Sequence, residues 1–96
     1  MPRRVLLSAR AERWLHRETA YLAERSVPAA RRFLDRIRNA RRQLAEFPRS
    51  GRPGVVPGTR RLVVAAYILT YRERGTDLEI IDIRHGRQAD PHDNEY

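Results

Sequence analysis

The chain has 96 residues, 41% of them hydrophobic, with no cysteine and a formal net charge of +8. That length makes one domain, the apolar content suits a folded protein, and the missing cysteines exclude a disulfide framework or a thiolate metal site. No apolar run approaches the ~20 residues of a membrane span and no charged n-region plus apolar h-region marks export, so a cytoplasmic protein without a membrane partner is expected.

All 20 basic residues are arginine. Guanidinium forks fit carboxylates and phosphates, and they do not act as bases near neutrality. The charge is also uneven: residues 1–61 hold 16 arginines against five acids, and residues 62–96 hold four against seven. A basic half invites an anionic partner, nucleic acid or an acidic protein segment.

In chain order, residues 3–7, RRVLL, read as a short strand. Ser8 offers a hydroxyl cap to a helix over 9–25, in which Ala11, Trp14, Leu15, Tyr21 and Leu22 share one face and Glu18 interrupts it. RSVP ends that helix and starts a second over 28–46, with Pro28 in its first turn. Ala30, Phe33, Leu34, Ile37, Leu44 and Phe47 form its apolar stripe, and Pro48 stops it. So short a link makes the pair an antiparallel hairpin.

FPRSGRPGVVPGTRRLVV, residues 47–64, then packs Arg49, Arg52, Arg60 and Arg61 among turn formers with no carboxylate. Beyond it the period becomes that of strands. RRLVVAAYILTYR splits near Ala65–Ala66 into two antiparallel strands, RGTD is a hairpin turn, and LEIIDIRH is the next strand. The order β-α-α-β-β-β predicts one α+β domain over residues 1–88. Its N-terminal strand and antiparallel two-helix hairpin are followed by a three-stranded antiparallel meander. Residues 89–96, ADPHDNEY, hold little to bury and read as a mobile acidic tail.

The segments AERWLHRETAYL, VPAARRFLDRI, LAEFPRSGRPG, PGTRRLVV, YILTYR and IIDIRHGRQ, in that order, resemble the RelE/ParE superfamily of toxins from type II toxin–antitoxin systems. The resemblance covers residues 3 to about 88 and is closer to the ParE branch. It implies a toxin neutralised by an antitoxin whose C-terminal segment wraps it and whose N-terminal part dimerises and binds the operator. Operator DNA is then met only through the antitoxin. ParE-like members are associated with inhibition of DNA gyrase, and RelE-like members with cutting mRNA on the ribosome.

Metal-free RNA cleavage needs a group to take the 2′-hydroxyl proton, one to protonate the leaving oxygen, and positive charge around the phosphorane. Arg52, Arg60, Arg61, Arg84 and Arg87 supply charge, but no lysine exists and no acid lies between Glu46 and Glu73. His85, with Arg61 and Arg84, is the one catalytic set available, and a lone strand-end histidine is more often a structural hydrogen-bonder. His16 lies beside Glu12 on the first helix and His92 in the tail, so no metal site is expected. The reading therefore leans away from an enzyme; if it is one, it is a metal-independent endoribonuclease.

The arginines of the second helix are expected to be a solvated face partly paired with Asp35 and Glu46. Arg60 and Arg61 point to opposite faces of a strand, so one meets the antitoxin or target, or an ion pair with Asp82 or Glu79. Trp14 and Tyr21 are core by default, and anchors for an antitoxin helix if exposed. Arg52, Arg60, Arg61, Arg84, Arg87, Trp14 and Tyr21 are thus the candidate binding residues. The expected function is a toxin that inhibits gyrase by binding. The alternatives are a ribosome-dependent mRNA endonuclease and a non-toxic partner in an operon-regulating antitoxin complex.

Overall fold

In the computed structural model, which describes residues 2–86, the chain runs β1 (Val5–Leu7), α1 (Ala9–Arg25), α2 (Val27–Glu46), β2 (Arg52–Pro53), β3 (Thr59–Val64), β4 (Tyr67–Arg74) and β5 (Asp77–His85). The strands form one sheet in the order β1-β5-β4-β3-β2, with β1 parallel to β5 and the other neighbours antiparallel. This is the expected α+β fold, with one strand more than the sequence suggested. The predicted tail, 89–96, lies outside the described residues, as does Arg87.

Two serines set the helix boundaries. Ser8 Oγ accepts from the Ala11 N–H at 3.1 Å and donates to the Ile81 carbonyl at 3.0 Å, which caps α1 and ties its start to β5. Ser26 closes α1 through its N–H to the Leu22 carbonyl at 2.7 Å. Its hydroxyl then accepts from the Ala29 N–H at 3.2 Å and opens α2. One residue serves both helices, which forces the tight hairpin.

The hairpin lies on one face of the sheet. Ala11, Phe33, Ile37, Ala40 and Leu44 from the helices meet Leu62, Leu69, Tyr71, Leu78, Ile80 and Ile83 from the strands, all buried. Phe47 does not join them: the helix ends at Glu46, and Phe47, with φ −126° and ψ 75°, is 62% exposed. Tyr21 also leaves the expected stripe, half exposed, with the Arg25 guanidinium 3.6 Å over its ring.

A bulge decides which side chains of β5 face the helices. Tyr71 pairs with Ile80 and Thr70 with Asp82, so Ile81 has no partner in β4. Strict alternation would put His85 on the face opposite Leu78 and Ile80. The extra residue shifts the phase, so Leu78, Ile80, Ile83 and His85 share the helix side, and Asp82 and Arg84 point the other way.

The proline- and glycine-rich loop is pinned at its centre. Tyr71 donates its hydroxyl to the Pro48 carbonyl at 2.8 Å and accepts from the Gly51 N–H at 3.0 Å. A Cβ at Gly51 would stand 2.8 Å from that hydroxyl oxygen and 2.7 Å from the Arg61 carbonyl oxygen, so only glycine fits without displacement. This packing lets Arg52 and Pro53 pair with Arg61 and Arg60 as a two-residue edge strand. No helix among the described residues is long and apolar enough to cross a membrane.

Candidate functional site

Register across the meander builds rows of side chains on the face turned away from the helices. Arg52, Arg61, Thr70 and Asp82 form one row. Val63, Ile68 and Arg84 form the next, towards the His85 end, and Val63 is 70% exposed. Thr59, Arg72 and Glu79 form the row on the other side. Three predicted arginines, Arg52, Arg61 and Arg84, therefore arrive on one face from three different strands.

The face is partly self-neutralised. Glu79 accepts from Arg72 at 3.1 Å and Arg74 at 2.9 Å, and Asp82 pairs with Arg10 of α1 at 3.2 Å. Arg84 is buried and donates to the His85 carbonyl at 3.3 Å. None of Arg61, Asp82 and Arg84 is without a partner. Arg52 is exposed, and its side chain has no hydrogen bond or ion pair among the described residues. Arg60 departs from this group: it pairs with the buried Tyr71, and its guanidinium donates to the Gly51 carbonyl at 2.8 Å, bracing the loop.

On the opposite side of the sheet, His85 closes an aromatic cluster. Its ring lies 5.4 Å from that of Trp14 and 5.1 Å from that of Tyr67, whose ring in turn lies 4.8 Å from Phe33. Glu18, the residue that broke the apolar stripe of α1, is buried beneath them. Its Oε2 accepts the Tyr67 hydroxyl at 2.8 Å and lies 3.2 Å from His85 Nε2. Burial, then the hydrogen bond and charge of Glu18, push the Tyr67 phenol up to about 12, against a smaller opposing pull from Arg36. At neutral pH this phenol is a donor, and it holds the carboxylate in place.

The structure thus separates the residues that a ribonuclease reading would unite. Arg61 and Arg84 stand on the open face, and His85 stands behind the sheet with Glu18 and Trp14. His16 is exposed, 3.8 Å from Glu12. Among the described residues no group of His, Asp and Glu is arranged to hold a metal ion. What the open face can do chemically is present guanidinium groups beside an apolar edge to an anionic partner. The sequence reading missed Tyr67 and the engagement of Glu18; the signal for the latter was a carboxylate at a core-facing helical position.

Comparison with known proteins agrees with this fold. Residues 5–90 match the family described as ParE toxin of type II toxin–antitoxin system, parDE. Y4kP of Sinorhizobium fredii, a protein provisionally named a toxin, is 41% identical over 91 residues, covering 93% of this chain and 94% of that one. Toxin RelE1 of Caulobacter vibrioides is 36% identical over 86 residues, 85% of this chain and 91% of the relative. The solved structure of a chromosomal ParDE TA system from P. aeruginosa superposes with a TM-score of 0.74 at 20% identity, over 86% of this chain and 95% of that one. Strand, helical hairpin and antiparallel sheet, matched along nearly the whole length, place this chain in the ParE toxin family of type II toxin–antitoxin systems.

Proposed function

We propose that the chain arrests its target by binding rather than by bond cleavage, and that the target is DNA gyrase, as its likeness to the ParE branch implies. The observation that carries this reading is the split between the two faces of the sheet. Proton transfer to and from a 2′-hydroxyl requires acid–base groups within hydrogen-bond reach of the phosphate held by the cations. Here the arginines lie on one side, and the strand-end histidine is tied to Glu18 on the other. Membership in the family implies an antitoxin partner. We assign it the helix-side rim marked by Trp14 and the half-exposed Tyr21, and assign the target the open face with Arg52 and Arg61, behind which Arg84 is buried.

A second reading, the mRNA endonuclease, is favoured by the name of the Caulobacter relative, Toxin RelE1. The two separate in one experiment. The protein is induced alone, RNA 5′ ends are mapped within minutes, and plasmid supercoiling and DNA breaks are followed in parallel. Gyrase inhibition gives intact messages with altered supercoiling or breaks, and growth arrest that survives His85→Ala. New cuts inside translated messages, lost on His85→Ala, overturn it. Replacing Arg52 and Arg61 together by Ala is expected to reduce toxicity; unchanged toxicity sinks the assignment of this face.

A further inference from the structure

The sheet covers most of the hairpin's apolar stripe, but one flank of α2 stays uncovered. Between that flank, α1 and β1 lies a groove of about 360 Å³. Its floor is aliphatic: Val5 and Ile37 are buried, and Leu15, Leu34 and Ala45 lie half-buried against the core. Two hydrogen bonds fix its shape. Arg41 Nη2 donates to the Val5 carbonyl at 2.6 Å, and the Arg3 N–H donates to the Ala45 carbonyl at 2.9 Å. The groove is therefore built before a partner arrives, and filling it costs little ordering.

Three arginines, Arg38, Arg41 and Arg42, line the same groove. Arg41 is held by β1, and the exposed Arg38 pairs with Asp35 at 2.9 Å. Arg42 is exposed, and its side chain makes no hydrogen bond or ion pair among the described residues, although Glu46 follows one turn later. Arg38 and Arg42 stand one turn apart, about 6 Å along the axis, where like charges repel. Positive charge thus meets an apolar floor, and the combination selects the occupant. A phosphate backbone has no apolar group to seat on five aliphatic residues. Among the described residues no aromatic ring lines the groove, so a base has nothing to stack on. A protein segment offers an aliphatic side chain and carboxylates together, and an apolar centre within a polar rim is the ordinary anatomy of a protein interface.

We propose that this groove seats an aliphatic side chain of the antitoxin, between two carboxylates about 6 Å apart to which Arg38 and Arg42 donate. The inference rests on the reading of the partner as an antitoxin and gives that partner a second anchor. Trp14 faces the His85 ring, and Leu15, the next residue, lines the groove. The two anchors lie on different flanks of α1, and a segment that crosses the helix meets both.

The test is calorimetric titration of the full chain with its cognate antitoxin. Arg38→Glu with Arg42→Glu reverses the charge at the rim, and Ala45→Phe fills the floor. Arg32→Glu with Arg49→Glu is the charge-matched control: both arginines are exposed, lie outside the groove and make no hydrogen bond or ion pair among the described residues. The rim variant should bind the antitoxin at least about tenfold more weakly than the control. Ala45→Phe should lose a similar factor against the unaltered chain, and thermal unfolding checks that every variant is folded. Equal losses in the two charge variants, or no loss on Ala45→Phe, overturn the proposal while the antitoxin reading stands. No complex with the unaltered chain removes that reading, and the proposal with it. A single-stranded RNA of about 16 nucleotides whose binding is lost on Ala45→Phe would give the groove to nucleic acid instead.

Discussion

Glu18 has two partners of different chemistry, and they are separable by substitution. Tyr67 supplies a hydroxyl at 2.8 Å and His85 a ring nitrogen at 3.2 Å. Removing the carboxylate by Glu18→Ala leaves a buried phenol without an acceptor, which should cost about 1–3 kcal/mol. Tyr67→Phe removes the donor, and the double variant should show a coupling of about 1–2 kcal/mol in a denaturation cycle. Coupling near zero would reduce the contact to packing. Glu18→Gln keeps an acceptor and should recover most of the loss. The same contact sets a pH window. The folded phenol, at about 12, lies above its unfolded value near 10. Its contribution is therefore complete below about pH 10 and is lost as pH rises through about 12. Absorbance titration of tyrosinate should show a step near pH 12, and Tyr67→Phe should abolish it. Sequence exposed half of this arrangement. Glu18 was legible as a break in an apolar stripe, but its phenol partner lies 49 residues away, and no local pattern names it.

Elements were legible where side chains write their own boundaries. Ser8 caps α1 and Ser26 both ends α1 and opens α2, so the helices fell close to where the sequence put them. Faces were harder to read than boundaries. The bulge at Ile81 reverses the phase of β5 midway, and only the doublet Ile80–Ile81 inside an alternating run betrays it. A reading by strict alternation would have put His85 beside Glu79. The turn between β3 and β4 shows the reverse case, a local rule broken without loss of the element. Ala65 adopts φ +54°, a region that costs a residue bearing Cβ about 1–2 kcal/mol. Gly75, in the next hairpin turn, takes φ +61° without that cost. Ala65→Gly should therefore stabilise the protein by about 0.5–1 kcal/mol, after the entropy that glycine adds to the unfolded chain. The urea midpoint should rise with m unchanged. A lower midpoint would show that the Ala65 methyl packs usefully.

At the scale of the whole molecule, the uneven charge of the sequence becomes a division of labour in space. The basic first part builds the hairpin and loop, and the acids of the second part neutralise arginines on the sheet. What the sequence could not show is how the two parts are fastened. β1 lies beside β5 in parallel, with Val5 opposite Leu78, and Arg4 grips Asp77 through two hydrogen bonds of 3.1 and 2.8 Å. These contacts join residues 73 positions apart. Closing so long a loop has to precede any gain from the contacts, so such pairings tend to form late in folding. The helical hairpin and the β3–β4–β5 meander hold mostly local contacts and should form the nucleus. Val5→Ala, at a site 8% exposed, tests this order. It should destabilise by about 1–2 kcal/mol. If β1 docks after the barrier, nearly all of that appears as unfolding faster by about 5–30-fold, with the folding limb of the chevron unmoved. A folding limb slowed by a similar factor would place β1 in the nucleus instead. The parallel pairing would then organise the sheet from the start.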